Sequence, residues 1–411
     1  MKRFILTVTA LTLLLGLCCS AFTVSAEENE SAVFSTEGYS REFEGETINV
    51  YNWGEYIDES IFADFEELTG IKVNYSNYET NEAMYTKLAA GGASYDIVVP
   101  SDYMIERLIN EDMLEKIDFS NVPNLKYIDE SLNTESYDAT GEYSVPYTWG
   151  FVGVVYNSEF IKGEVTGFAD LWNKEYSGKI LMMNNSRDVF AIALSRLGYS
   201  YNTTDPDHWN EAYEILREQK PLVQSYVTDE IYNKMEGGEA WIAPCYVGDY
   251  LWMKDNNSEL RFAYPEEGSN TFIDAVCIPK SSKHKEAAEM FINFLCDPNI
   301  SLRNINEIWY FTPNTETAQM EDYYLNCDVD DEYILGVLEQ QLPQTKGQLF
   351  DALPTDSQTH LEELWLLLKT STVGLHVYII LGGALVFAVA ASVYRRIRRK
   401  RREASYDEEI L

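Results

Sequence analysis

Basic side chains are scarce in this sequence: 31 Lys and Arg stand against 67 Asp and Glu in 411 residues, a formal charge of −36. A nucleic-acid binder needs basic patches to replace the counterions on phosphate, so that class is excluded. Four His and six Cys, with no cysteine cluster beyond Cys18-Cys19, leave little material for a soft-metal site. G-x-S-x-G, H-E-x-x-H, the P-loop and G-x-G-x-x-G are all absent. Carboxylate-based hydrolases need no short motif, so an exported hydrolase stays as an alternative, but no catalytic pair stands out. No cofactor, no metal and no enzymatic activity are expected. What is present is 45% hydrophobic residues with 29 Tyr and 8 Trp, enough to bury a core in two or three domains of about 150 residues.

The two ends read as membrane-related. Residues 1–26 carry Lys2 and Arg3, an apolar stretch from Phe4 to Leu17, and Val24-Ser25-Ala26 before Glu27, the pattern of a cleaved secretory signal. Leu17 stands where bacterial lipidation sites carry a small residue, which favours plain cleavage over lipidation at Cys18 or Cys19. At the other end, Val373 to Val393 is 21 residues without a charge, long enough to span a bilayer, and seven Arg and Lys follow at once. The expected order is a signal peptide (1–26), a flexible acidic lead (27–46), an extracytoplasmic globule, a transmembrane helix (373–393) and a basic cytoplasmic tail (394–411). The segment 27–370 then carries 22 Lys and Arg against 63 Asp and Glu, or −41. Its cysteines at 245, 277, 296 and 327 specify no disulfide by spacing, and Cys277 and Cys296 sit in apolar runs as small buried hydrophobes.

Short apolar strands alternate with amphipathic helices between residues 47 and 369. Strands are expected at Thr47–Tyr51, Ile71–Tyr75, Tyr95–Val99, Phe151–Tyr156, Lys179–Met183, Glu239–Ala243 and Asp274–Ile278. Helices are expected at Ser60–Leu68, with Ser60 as cap, and at Asn81–Leu88, Asp188–Leu197, Asp207–Gln219, Lys285–Leu295 and Ser357–Lys369. This is the pattern of an α/β fold with a largely parallel sheet.

Aromatic and acidic residues meet where strands end: Trp53-Gly54-Glu55-Tyr56, Ser101-Asp102-Tyr103, Asn185-Ser186-Arg187-Asp188 and Tyr246-Val247-Gly248-Asp249. Ligands of open α/β sheets bind outside the carboxyl ends of strands. Carboxylates pair with ammonium groups, and aromatic faces attract cations while covering methylenes. Each residue also has a plainer use. A lone Trp or Tyr after a strand often only packs, Asp188 suits a helix N-terminus, and Asp102 and Glu55 suit solvated loops.

The run YNWGEYIDESIFADFEELTGIKVNYSNYETNEAMYTKLAAGGASYDIVVPSDYMIERL, with SVPYTWGFVGVVYN, ADLWNKEYSGKILMMNNSRDVF, FIDAVCIPKSSKHKEAAEMFINFLCDPNI and Tyr310-Phe311-Thr312-Pro313-Asn314, resembles the spermidine/putrescine-binding proteins. These are the extracytoplasmic receptors of polyamine ABC importers, and the likeness covers about residues 47–318. The resemblance implies a two-lobed clamshell of the type II periplasmic-binding-protein kind. Lobe one would be 47–148 with 274–318, and lobe two 149–273 with 319–369. The implied partners are a polyamine (putrescine, spermidine or both) in the interlobe cleft, an ABC permease with its ATPase, and the membrane through Val373–Val393. A sensor built on the same clamshell is the alternative use.

By the resemblance, ligand contacts fall on Trp53, Glu55, Tyr56, Ser101, Tyr103, Asn185, Asp188, Tyr246, Asp249, Phe272, Asp274 and Tyr310. Asn185 stands where spermidine binders carry an acid, and Tyr246 and Phe272 stand where Trp is common. Asp249 resembles an acid of putrescine-preferring members. The stretch Gln348 to Asp351 matches poorly, and a membrane span is atypical of the family.

Overall fold

The computed structural model describes residues 39–92, 94–132, 136–323 and 347–370. The expected signal peptide, membrane helix and basic tail lie outside these residues, as does Cys327. Among the described residues, no helix is long and apolar enough to cross a membrane. Of the expected flexible lead, residues 39–46 are part of the fold, because Tyr39 and Phe43 pack on the core.

The elements run β1 (Thr47–Trp53), α1 (Ile61–Thr69), β2 (Lys72–Tyr78), α2 (Asn81–Ala89), β3 (Ile97–Val98), α3 (Asp102–Asn110), β4 (Leu114–Glu115), β5 (Ser144–Asn157), β6 (Ile180–Met183), α4 (Ser186–Leu197), α5 (Pro206–Gln219), β7 (Val223–Val227), α6 (Glu230–Glu236), β8 (Ile242–Tyr246), α7 (Val247–Asn256), β9 (Leu260–Ala263), β10 (Ser269–Pro279), α8 (Lys285–Leu295), α9 (Pro298–Ile308), β11 (Gly347–Gln348) and α10 (Thr355–Thr370).

Local chemistry explains the boundaries. In α1, Ile61 and Phe65 bury one face, and Gly70 closes the helix in the left-handed conformation at φ 75°. Ser60 makes no capping bond there. Asp58 accepts from the Ser60 N–H at 2.9 Å and sets the turn instead.

Two parallel three-stranded groups, β2-β1-β3 and β8-β6-β7, form the two lobes. Between them β10 and β5 run antiparallel to each other and to their neighbours β3 and β8. The sheet is therefore mixed, not largely parallel as the alternating pattern suggested. Strand direction is invisible to periodicity, and these two long strands each serve both lobes. The points 148–149 and 273–274 fall inside β5 and β10. Helix α10 returns late in the chain, and its Leu361, Leu364 and Leu368 bury in one cluster with Trp209 and Leu216 of α5. Cys245, Cys277 and Cys296 are free and buried.

Candidate functional site

The carboxyl ends of both parallel groups converge. Trp53 ends β1, Tyr78 ends β2, and Ser101 follows β3; Asn184 follows β6, Thr228 follows β7, and Tyr246 ends β8. All six line one cleft of about 360 Å³. The twelve side chains named from the sequence line the same cleft.

Three tyrosine–aspartate pairs organise it. Tyr56 donates to Asp274 Oδ2 at 2.6 Å and shares its hydroxyl with Thr148 at 2.6 Å. Tyr246 donates to Asp188 Oδ2 at 2.7 Å. Tyr310 and Tyr232 both donate to Asp249 Oδ1, at 2.6 and 2.8 Å. A break in the β10–β5 register between Asp274 and Ala275 marks where β10 departs from regular pairing beside the site. Trp309 takes φ 60° as the cap of α9, and that turn delivers Tyr310. Asp188 and Asp249 both sit in the first turns of their helices, where the N-terminal dipole favours a negative charge.

Burial outweighs that help. Desolvation pushes Asp188, Asp249 and Asp274 each up to about 6. The Tyr246 hydroxyl opposes the rise at Asp188, Tyr310 and Tyr232 oppose it at Asp249, and Ser101 and Tyr56 oppose it at Asp274. Asp274 Oδ1 is buried without a close hydrogen-bond partner.

Among the described residues, seven carboxylates line the cleft (Glu55, Glu79, Asp102, Asp188, Asp229, Asp249 and Asp274), and no Lys, Arg or His does. Around them stand the rings of Trp53, Tyr56, Tyr103, Tyr246, Phe272 and Tyr310. Tyr56 and Phe272 meet Tyr310 edge-on, with centroids at 5.1 and 6.1 Å. A cation with an apolar spine fits such a surface. Among the described residues no group of His, Cys, Asp and Glu is arranged to hold a metal ion.

The structure changes what some of these residues offer. Asn185 Oδ1 accepts the Arg187 N–H at 2.9 Å as the cap of α4, so its oxygen is already engaged. Tyr103 OH donates to Glu82 Oε1 at 3.0 Å and accepts from Asn81, so its hydroxyl is already engaged; its ring, which lines the cleft, also packs edge-on against Phe350. Asp102 is no solvated loop charge: it is buried and holds the Tyr103 and Ile273 N–H groups. Sequence reasoning missed Asn270, Asp229, Tyr232 and Phe350, all of which line the cleft. Tyr232 lies on α6, the helix that follows β7, and Phe350 comes just after β11, neither of which was read from the sequence as an element. Asp229, just after β7, was findable by the strand-end rule, had β7 been recognised.

A family model described as bacterial extracellular solute-binding protein matches residues 60–326. The chain belongs to that family. This solute-binding protein is 37% identical over 279 residues to a spermidine/putrescine-binding periplasmic protein of Salmonella typhimurium, covering 67% of this chain and 80% of that one. A structure assigned to a spermidine/putrescine ABC transporter from Listeria monocytogenes superposes with a TM-score of 0.70 at 34% identity, over 79% of this chain and 99% of that one. A spermidine/putrescine ABC transporter substrate-binding protein of Streptococcus pneumoniae gives 0.61 at 32% identity, over 79% and 98%. The two-lobed α/β architecture of the solute-binding protein agrees with both.

Proposed function

We propose that this protein is the extracytoplasmic polyamine receptor of an ABC importer and has no enzymatic activity. The observation that carries the reading is the cleft itself, lined among the described residues by seven carboxylates and no cationic side chain. Alkyl amines titrate near ~10, like Lys, so putrescine and spermidine are cationic at neutral pH. Desolvating them requires carboxylate partners, and Asp188, Asp249 and Asp274 supply these. The names of the related proteins support the same ligand class.

In this reading the lobes are 47–148 with 274–318 and 149–273 with 319–369. Ligand contacts to both favour the closed form, because only differential affinity moves an open–closed equilibrium. The twelve residues named from the sequence form the ligand site. A cleaved signal exports the chain, Val373–Val393 tethers it to the cell membrane with a cytoplasmic C-terminus, and the closed receptor delivers its ligand to a permease and ATPase. Calorimetric titration of the full chain in detergent with putrescine, spermidine, spermine and amino acids tests the reading. Saturable binding of a polyamine and none of amino acids is expected; no polyamine binding overturns it.

A further inference from the structure

Asn270 lies near the start of β10, 6% exposed, and lines the cleft beside Asp188. Its Nδ2 donates to Asp188 Oδ1 at 3.4 Å, while Tyr246 donates to the other carboxylate oxygen. An ionised carboxylate only accepts, so the amide must turn its NH2 toward Asp188. Asn270 Oδ1 is then left buried with no hydrogen-bond partner. A buried amide oxygen without a donor is costly, and here it borders a cleft meant to be filled. Asn185, nearby in the same cleft, does not serve instead, because its oxygen caps α4.

A terminal ammonium brings three N–H donors and needs several acceptors. We infer that Asn270 is a ligand-contact residue whose amide oxygen, together with Asp188, receives one primary ammonium of the ligand. This rests on the polyamine reading above. Asp188 supplies charge, and Asn270 adds a directed neutral acceptor that an acid at the same place could not provide without facing Asp188 as a like charge.

The test is calorimetry of putrescine and spermidine on the full chain and on Asn270→Leu, at about pH 6 and about pH 8. A loss of about tenfold or more in affinity at both pH values is expected, because a hydrogen bond to a charged group is lost. A loss that disappears at pH 8 would mean that Asn270 acts only by keeping Asp188 ionised, and overturns the inference. So does an unchanged affinity at both. If the parent protein binds neither amine, the polyamine reading fails and this inference with it; if only the variant is indifferent, this inference alone fails. Should Leu lower the melting temperature, Asn270→Ala, which empties the space, makes the same comparison.

Discussion

Tyr310 donates its hydroxyl to Asp249 Oδ1 at 2.6 Å, joining the turn after α9 to the first turn of α7. The same oxygen takes the Tyr232 hydroxyl at 2.8 Å. In the proposed division Tyr310 and Asp249 belong to different lobes, so this bond ties the cleft shut at one point.

Tyr310→Phe removes that bond while keeping the ring. The Asp249 carboxyl loses the hydrogen bond that most opposes its upward shift, so it holds its proton to higher pH. Polyamine affinity should fall about three- to tenfold at neutral pH, and by more at pH 6 than at pH 8, as read by calorimetry. Thermal stability should drop by about 1 kcal/mol, the worth of one ordinary hydrogen bond.

Of the cleft aspartates, the three paired with tyrosine, Asp188, Asp249 and Asp274, shape the pH response. Each is pushed up to about 6 in the folded protein, against an ordinary 3.8 for an aspartate in water. Between those values the folded state holds the extra protons, so the ligand-free protein gains stability as pH falls from 7 toward 5. Ligand binding needs the ionised forms, so affinity should fall over the same range, by up to about tenfold for each carboxylate that pairs with an ammonium. Melting curves with and without putrescine should converge as pH drops. A ligand-induced stabilisation that is constant from pH 7 to pH 5 would contradict this assignment.

Asp274→Asn separates binding from stability. Its Oδ1 lacks a close partner, and its burial raises the cost of the charge. The variant should bind polyamine at least about tenfold more weakly, as for loss of a buried charge partner. Its ligand-free melting temperature should equal or exceed that of the parent at pH 7. An unchanged dissociation constant removes Asp274 from the site.

Gly248→Ala tests the packing behind Tyr310. A Cβ at Gly248 would lie 2.6 Å from the Tyr310 ring, which is itself buried. Gly to Ala within a helix ordinarily stabilises by about 1 kcal/mol. Here the clash should reverse the sign, costing about 1–3 kcal/mol, and displace Tyr310 from Asp249. Both the melting temperature and polyamine affinity should fall.

Much of the cleft was legible because its residues follow strands. Trp53, Ser101, Asn185 and Tyr246 each stand at or just after the carboxyl end of a strand, and that rule needs only the strand ends. Phe350 and Tyr232 were not legible. Phe350 reaches the cleft from just after β11, far along the chain, and packs edge-on to Tyr103 at 5.8 Å. Nothing in the local sequence signals such a return. Asn185 shows the opposite limit: its place in the cleft was readable, but its commitment as a helix cap was not.

The sequence by itself determined the alternation of strand and helix, the excess of acid over base, and the collection of Trp, Tyr and Asp at strand ends. These are local properties, set by periodicity and composition. Tertiary structure decided that β10 and β5 run against β3 and β8, that Asp188, Asp249 and Asp274 each meet a tyrosine hydroxyl, and that Asn270 turns its oxygen away from Asp188. Those facts join residues tens to hundreds of positions apart. Charge, burial and hydrogen-bond direction there depend on distance in space, which the order of residues does not contain.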